Sequence, residues 1–389
     1  MVRFTVVIIS FVLCFGSFAN LAGAKETKQK IAEKSASAIL MERDTGEVLY
    51  DKNSEEKLPP ASMTKIMTML LIMEAIEDGK INLDEKVRAS EHAASMGGSQ
   101  IFLEAGEEMT VNELLKGIAI ASGNDASVAM AEAIGGSEEG FVDMMNKKVK
   151  ELGLKNTHFA NPTGLPADDH YSTAKDMAVM AKELLKYDLI TKYTGKYEDY
   201  LREDTDRKFW LVNTNKLVKF YPGVDGLKTG FTREAKYCLT ATAQKGDMRI
   251  IAVVMGAPTS KERNTEVSKM LDYAFSQYKT HKLYDRHQIV KKVKVSKGNK
   301  ATLTAVTSER VSVLMKKADK EKEVTTEAKM DKTLVSPIKK GDEVGKLIVK
   351  VDGKAVTESA LLSSEEVKTA SWWQLFKRTL GQFSKAPSL

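Results

Sequence analysis

Three short motifs follow one another along this chain of 389 residues, and together they supply the residue types that acyl transfer requires. They are S-x-x-K from Ser62 to Lys65, S-x-N from Ser122 to Asn124, and K-T-G from Lys228 to Gly230. A serine nucleophile needs a base, and a lysine held as a neutral amine can take the place of a triad histidine. The ordered set therefore predicts covalent chemistry on Ser62 with Lys65 as general base.

The first motif opens a segment whose apolar residues recur every three or four positions as far as Asp78. This pattern predicts a buried helix that ends at Gly79. Residues three apart share a helix face, so the side chains of Ser62 and Lys65 should project together. Ser62 should lie at the positive end of the helix dipole, and burial of Lys65 near other cations should lower its pKa.

The other two motifs supply the remaining parts of such a site. Ser122 is expected on a loop facing the cleft, where it could relay a proton to the leaving amine. Asn124 could bind the substrate amide and hold the general base in place. The third motif lies in a glycine-interrupted run that predicts a strand at a sheet edge. Gly230 would let a peptide add to that edge, while Lys228 and Thr229 present donors to a carboxylate.

The rest of the first 280 residues predicts the scaffold that positions these motifs. Apolar runs at 36–41 and 46–50 flank an Asp-Thr-Gly turn and predict a hairpin. Helical patterns follow at 111–121, 126–134, 139–152 and 173–186, strand patterns at 225–232, 237–243 and 249–256, and a closing helix at 270–278. Strands at both ends with helices between them predict an α+β domain, one antiparallel sheet packed against a helical cluster, over about residues 30–282.

The C-terminal third predicts two further parts. Alternating runs at 289–295, 301–306, 311–315 and 344–351, with a turn at Asp352-Gly353, predict a small β domain without catalytic motifs. The last segment puts Trp372, Phe376, Leu380 and Phe383 on one helical face, with Lys377 and Arg378 off that face. An amphipathic helix of this kind indicates an interfacial membrane anchor, and the alternative is a terminal helix docked on the β domain.

The N-terminus and the composition indicate where the protein acts and which classes of function are not expected. Residues 1–24 have a basic start, an apolar run and an Ala22-Gly23-Ala24 end, which predicts an export signal rather than a retained anchor. Cleavage would leave Cys238 as the one cysteine, so no internal disulfide is expected and Cys238 is interpreted as a packed strand residue. A net charge of +6 over this length does not indicate nucleic-acid binding, and the five histidines lack metal-ligand spacing, so neither metal nor cofactor is expected.

The motifs resemble those of the low-molecular-mass penicillin-binding proteins, specifically the D-alanyl-D-alanine carboxypeptidases of the S11 serine peptidase type, and look most like those of bacilli. The resemblance extends from about Ala36 to Trp373 and rests on A-S-M-T-K, A-S-G-N-D-A, N-P-T-G-L and D-G-L-K-T-G. It implies a penicillin-binding or serine β-lactamase-like transpeptidase domain. The expected divisions are signal 1–24, catalytic domain 25–282, small all-β domain 283–366 and amphipathic helix 367–389.

The resemblance also implies an activity and further site residues. The expected reaction removes the terminal D-alanine from the pentapeptide stem of peptidoglycan through an acyl-enzyme on Ser62, which β-lactams also acylate. The expected location is the outer face of the cytoplasmic membrane. By carry-over, Arg263 helps to bind the substrate carboxylate, His170 borders the cleft, and the backbone N–H groups of Ser62 and Phe231 form the oxyanion hole. Phe231 stands where the family often has histidine.

Three alternatives remain open from the sequence. A class A β-lactamase needs a glutamate that activates the deacylating water, and Glu132, Glu138 and Glu139 lack the expected loop context. A D-Ala-D-Ala endopeptidase or transpeptidase would share the same motifs. A catalytically silent scaffold that binds wall peptides would not need the complete set.

Overall fold

The computed structural model describes residues 30–320, 322–331 and 333–383, with the side chains of 379–383 left out, so the expected signal at 1–24 and the side chains of Leu380 and Phe383 lie outside it. The strands are β1 (Ser37–Glu42), β2 (Val48–Lys52), β3 (Lys86–Arg88), β4 (Glu108–Thr110), β5 (Glu198–Leu201), β6 (Phe209–Val212), β7 (Val224–Thr232), β8 (Lys236–Lys245), β9 (Met248–Ala257), β10 (Tyr278–Tyr284), β11 (Ile289–Lys294), β12 (Thr302–Thr307), β13 (Val311–Lys316), β14 (Val324–Met330), β15 (Glu343–Val351) and β16 (Lys354–Ser363). The helices are α1 (Lys65–Glu77), α2 (Glu91–Ala94), α3 (Val111–Lys116), α4 (Asn124–Gly135), α5 (Glu138–Glu151), α6 (Ala174–Leu184), α7 (Thr191–Thr194), α8 (Leu217–Phe220), α9 (Ser260–Gln277) and α10 (Trp372–Phe383).

The central sheet is antiparallel and has the strand order β2-β1-β9-β8-β7, which confirms a sheet whose two halves are distant in sequence. Its middle strands are buried on both faces, because side chains alternate between two apolar clusters. Ile39 belongs to the cluster around α1 and α6, whereas its neighbour Leu40 belongs to the cluster under α9. Strand β7, which carries the K-T-G motif, lies at the edge of the sheet, as predicted.

Two predicted helices differ from the structure. The helix expected to begin at Ser62 begins as a 3₁₀ turn over Ala61–Thr64, and the α-helix starts at Lys65. The closing helix starts at Ser260 rather than Met270, because its first turns are polar and carry no apolar period. Its start is fixed by Thr259, whose hydroxyl accepts a hydrogen bond from the Glu262 amide.

The β-rich part has two sheets. Strand β10 pairs with β13, so the division expected near residue 282 falls inside β10. The other strands form an antiparallel sheet in the order β11-β12-β16-β15-β14, with the predicted turn Asp352-Gly353 between β15 and β16. This part contacts the β1–β2 turn through buried Asp44, which accepts from the Ser312 hydroxyl at 2.5 Å and pairs with Arg310 at 3.2 Å.

Helix α10 presents an aromatic cluster. The rings of Trp372, Trp373 and Phe376 stack on one another with centroids 5.2–5.5 Å apart. Their side chains remain exposed, at 72% for Trp372 and 58% for Trp373. On the other side, Arg378 donates to the backbone carbonyls of Gly298 and Asn299. None of the helices in the described part of the chain has the length and apolarity of a membrane span.

Candidate active site

The nucleophile candidate lies in the tight turn before α1. Ala61 has a positive φ of 48°, and the chain then makes the 3₁₀ turn that carries Ser62. Residues three apart eclipse one another in such a turn, which brings Lys65 over Ser62. The Lys65 Nζ lies 3.2 Å from the Ser62 Oγ. The predicted pairing of the two side chains is therefore confirmed, although Ser62 precedes the α-helix instead of lying within it.

The Lys65 amine is fully buried and has three oxygen neighbours. It lies 2.6 Å from Asn124 Oδ1, 2.7 Å from the backbone oxygen of Thr163 and 3.2 Å from Ser62 Oγ. Burial above all, and then the charge of nearby Lys228, lowers the pKa of Lys65 well below its usual value. A neutral amine has two N–H bonds and one lone pair. The Asn124 and Thr163 oxygens can only accept, so they take both hydrogens and leave the lone pair for the Ser62 hydroxyl.

The second motif presents one free hydroxyl and one fixed amide. Ser122 has a left-handed φ of 67°, and its buried Oγ has no hydrogen-bond partner among the described residues. Strain and an unsatisfied buried group at one residue are typical of a functional position. Asn124 is the first residue of α4 rather than a loop residue. Its Nδ2 donates to the carbonyl of Gly97 at 2.7 Å, so its oxygen points to Lys65.

The third motif lies along edge strand β7. The Lys228 amine is buried and donates to the Thr229 carbonyl at 3.1 Å. Burial, together with the charge of Arg263, lowers the pKa of Lys228 to about 7. The Thr229 hydroxyl donates to the Thr214 hydroxyl at 2.7 Å. A Cβ at Gly230 would lie 2.7 Å from the carbonyl oxygen of Pro60, so glycine is required for the nucleophile turn to approach the strand.

The three residues assigned by resemblance have different surroundings. Arg263 is buried in the first turn of α9 and donates two hydrogen bonds to Asn264. Phe231 is 54% exposed at the end of the motif, with its ring 4.5 Å from that of Tyr237. His170 is buried: its Nδ1 accepts from the amide of Ala160 at 3.1 Å, and its Nε2 therefore donates to the Thr64 hydroxyl at 2.8 Å. Their proposed roles in substrate binding stay predictions.

Some residues at the site were not identified from sequence reasoning. The backbone oxygen of Thr163 holds Lys65, and Gly164 lies so close to the nucleophile turn that a Cβ would come 1.9 Å from the Ala61 oxygen. The N-P-T-G-L motif was the available signal for both. Thr214, which contacts Thr229, had no signal, because the loop after β6 has no recognisable pattern.

The alternative chemistries find little support in this geometry. Glu132 accepts from the Ser90 hydroxyl, and Glu138 pairs with His92, so neither is placed to activate a water at Ser62. Cys238 is buried beside β7, and burial raises the pKa of its thiol to about 11, unlike a nucleophilic thiolate. Within the described residues no group of three His, Cys, Asp or Glu side chains could hold a metal.

Most of the chain is similar to known protein families and to a known relative. Residues 24–259 match the Peptidase S11 family, described as D-alanyl-D-alanine carboxypeptidase, and residues 278–369 match the C-terminal domain of penicillin-binding protein 5. The chain is 64% identical over 372 residues to D-alanyl-D-alanine carboxypeptidase DacF of Bacillus subtilis (strain 168). This alignment covers 95% of this chain and 96% of that relative.

Solved structures are similar as well. Penicillin-binding protein 5 of Haemophilus influenzae superposes with a TM-score of 0.65 and 32% identity, covering 86% of this chain and 98% of that one. Penicillin-binding protein D2 of Listeria monocytogenes, in its ampicillin-bound form, gives a TM-score of 0.56 and 30% identity over 62% of this chain and 98% of that one.

Proposed function

The chain belongs to the D-alanyl-D-alanine carboxypeptidases of peptidase family S11, and from this premise we propose that Ser62, Lys65 and Ser122 remove the terminal D-alanine from peptidoglycan pentapeptides. The family match and the relatives confirm the resemblance and the carboxypeptidase activity that it implied. The observation that carries the residue assignment is the buried Lys65 amine, which lies 3.2 Å from the Ser62 hydroxyl and has no carboxylate partner among the described residues.

Acylation begins with proton transfer from Ser62 to Lys65. The lowered pKa keeps the amine neutral, and its lone pair faces the hydroxyl because its hydrogens are held by Asn124 and Thr163. The Ser62 oxygen attacks the carbonyl carbon of the penultimate D-alanine. The tetrahedral oxyanion lies between the backbone N–H groups of Ser62 and Phe231, where fixed donors stabilise it.

Collapse of the tetrahedral intermediate requires a proton on the leaving amine. The Ser122 hydroxyl has no partner among the described residues, so it is free to pass a proton from a lysine to that nitrogen. Breakage of the C–N bond then releases D-alanine and leaves the acyl-enzyme on Ser62. Water completes the reaction. β-Lactams would acylate the same oxygen; the Listeria relative is known in an ampicillin-bound form.

The substrate's free carboxylate distinguishes a carboxypeptidase from an endopeptidase. We assign its recognition to Lys228 and Thr229, with Arg263 contributing positive charge from behind the strand. The peptide itself would add to β7, the edge strand of the central sheet. A substrate with a C-terminal amide should therefore bind more weakly than one with a carboxylate.

The assignment is tested by mass spectrometry of the purified protein, first with a fluorescent penicillin and then with a pentapeptide ending in D-Ala-D-Ala. Wild-type protein should gain the penicillin mass and release D-alanine. Ser62→Ala should do neither while unfolding at an unchanged temperature, and Ser260→Ala, which changes an exposed serine on α9, should behave as wild type. Release of D-alanine by Ser62→Ala within tenfold of wild type would contradict the mechanism.

We further propose that the chain is exported and that α10 holds it to the outer face of the membrane. Support comes from the exposed stack of Trp372, Trp373 and Phe376 and from Lys377, whose Nζ lies 6.0 Å from the Trp373 ring centre. Exposed tryptophans beside cations suit the headgroup region of an anionic bilayer. The docked alternative is less well supported, because the aromatic faces remain uncovered.

A chain ending at Ser371 tests the anchor. The cut is placed there because Val367 is buried in the β core and the Ala370 amide donates to the Lys297 carbonyl. The shortened chain should stay in the supernatant when spun with anionic liposomes, yet release D-alanine from a soluble peptide at the normal rate. Trp210→Ser, which changes an exposed tryptophan outside the cluster, should still sediment. Sedimentation of the shortened chain would refute the anchor.

A further inference from the structure

The Arg263 guanidinium is held by the side chain of the next residue. Arg263 lies in the first turn of α9 and is only 5% exposed. Its Nε and Nη2 atoms both donate to the side-chain oxygen of Asn264, each at 3.0 Å. Adjacent residues on a helix do not face each other, so this contact fixes the guanidinium in a direction that helix geometry alone would not give it.

The contact leaves one edge of the guanidinium open. A guanidinium has five N–H donors in a rigid plane, and Asn264 accepts from two of them. The Nη1 atom of Arg263 makes no hydrogen bond to any of the described residues. The edge formed by Nη1 and Nη2 therefore keeps a donor on each nitrogen, the arrangement that binds a carboxylate through two parallel hydrogen bonds.

The acidic neighbours of Arg263 are engaged elsewhere. Glu266 is three positions further along α9, the spacing of a helical ion pair. Its carboxylate instead accepts from the backbone amides of Lys34 and Ser35 and from the Ser35 hydroxyl. The Glu262 carboxylate lies 3.9 Å from the Lys34 amine. Among the described residues Arg263 has no carboxylate partner, so a neutral amide holds an uncompensated positive charge.

The open edge belongs to a residue on the same face of the sheet as the carboxylate subsite, and this step rests on the proposed function. Thr229 is directly opposite Leu239 in the sheet, and Leu239 belongs to the apolar cluster under α9. Directly opposed residues share a face, so the Thr229 side chain lies on the face that α9 covers. Burial first, and then the charge of Arg263, lowers the pKa of Lys228, which agrees with a short separation between these two groups.

We propose that Asn264 is a positioning residue for recognition of the substrate carboxylate. Its side-chain oxygen holds the Nε edge of Arg263 and thereby turns the Nη1 edge towards the carboxylate subsite at Thr229. Asn264 itself does not touch the substrate. Without this amide the guanidinium is free to turn away, which weakens binding of a carboxylate substrate and leaves the bond-breaking step unchanged.

The test measures kcat and KM for an acetylated peptide that ends in D-Ala-D-Ala and for the same peptide with a C-terminal amide. Asn264→Ala should raise KM for the carboxylate peptide about tenfold, the size of effect that loss of a hydrogen bond to a charged group gives. Its kcat should stay within twofold of wild type, and KM for the amide peptide should not change. Thr265→Ala, which changes an exposed residue in the same helical turn, should behave as wild type with both peptides.

A double-mutant cycle determines whether Asn264 acts through Arg263. Arg263→Met keeps an unbranched stem without donors and should raise KM for the carboxylate peptide, and adding Asn264→Ala should raise it no further. Additive effects, or a rise in KM that the amide peptide shares, would overturn the proposal. Thermal unfolding checks each variant, and if Arg263→Met does not fold, the difference between the two peptides in Asn264→Ala decides the question.

Failure of this inference and failure of the proposed function give different results. If Arg263→Met raises KM for the carboxylate peptide but Asn264→Ala does not, only the positioning role of Asn264 is refuted. If folded Arg263→Met leaves KM unchanged, the role of Arg263 in the proposed function is wrong, and the role of Asn264 is refuted with it.

Discussion

Replacement of Gly164 by alanine should slow acylation of Ser62 about a hundredfold, through a contact between two backbone segments. Gly164 has a φ of 81°, and a Cβ built there lies 1.9 Å from the Ala61 oxygen and 2.9 Å from the Ser62 nitrogen. Real Cβ atoms stay at least 3.0 Å from such atoms. The 161–165 segment would therefore have to move away from the nucleophile turn by about 1.1 Å, the difference between these two distances.

The shift acts on the general base. The Thr163 oxygen, one residue before Gly164, accepts from Lys65 at 2.7 Å. Moving it by the same amount lengthens the contact to about 3.8 Å, beyond hydrogen-bond distance. The amine then loses one of the two acceptors that direct its lone pair to Ser62. A misplacement of about 1 Å at a catalytic group can cost roughly a hundredfold in rate.

Gly153→Ala is the matched control for the backbone strain. Gly153 has a φ of 68°, but no atom lies within 4 Å of the position that a Cβ would take, so alanine there costs only the left-handed conformation, about 1–2 kcal/mol. The second-order rate of acylation by a fluorescent penicillin is measured for both variants, with thermal unfolding as the check on folding. If folded Gly164→Ala acylates within threefold of Gly153→Ala, the Thr163 contact does not position Lys65.

The side chains of the site give three further predictions. Ser122→Ala should lower kcat for D-alanine release a hundredfold or more with little change in the unfolding temperature, because the lost hydroxyl had no partner among the described residues. The pKa of Lys228 in the folded protein is about 7, so kcat/KM for a substrate with a C-terminal carboxylate should fall as the pH rises above about 7. The kcat/KM for the corresponding C-terminal amide should not fall. An equal decrease for both substrates would show that Lys228 does not bind the carboxylate. Burial lowers the pKa of His170 to about 4, below the unfolded value of about 6.5. The contribution of neutral His170 to the free energy of unfolding is therefore complete above pH 6.5 and declines as the pH falls towards 4. Urea unfolding should show that His170→Gln removes about 2 kcal/mol of the difference in stability between pH 7.5 and pH 5.

The sequence predicted those parts of the site that depend on side-chain type at fixed spacing. Ser62 and Lys65 are three positions apart, and this spacing alone brings their side chains together in a helical turn. The glycine-interrupted run around K-T-G predicts a strand at a sheet edge, and β7 lies at the edge of the central sheet. The capping pair Thr259 and Glu262 was also present in the sequence and would have given the true start of α9.

Other parts could not be predicted, because they depend on backbone atoms brought together by the fold. The acceptor that holds Lys65 is the carbonyl of Thr163, and any residue type has a carbonyl there. The left-handed conformation of Ser122 is set by the π turn over Gly117–Ala121 that precedes it. The strands of the β5–β6 hairpin, which leads to Thr214, have only four residues each, too few for a periodic signal.

The arrangement of charge explains how Lys65 remains a base. Among the described residues no carboxylate lies within hydrogen-bond distance of the Lys65 or Lys228 amine, although both amines are buried. The nearby carboxylate of Asp125 accepts instead from the backbone amides of Ile101, Leu103 and Ala126. An ion pair with Asp125 would raise the pKa of Lys65 and protonate the base. By binding that carboxylate to the backbone, the fold leaves the buried Lys65 and Lys228 amines without a counter-ion among the described residues, a destabilising arrangement that keeps the pKa of Lys65 low.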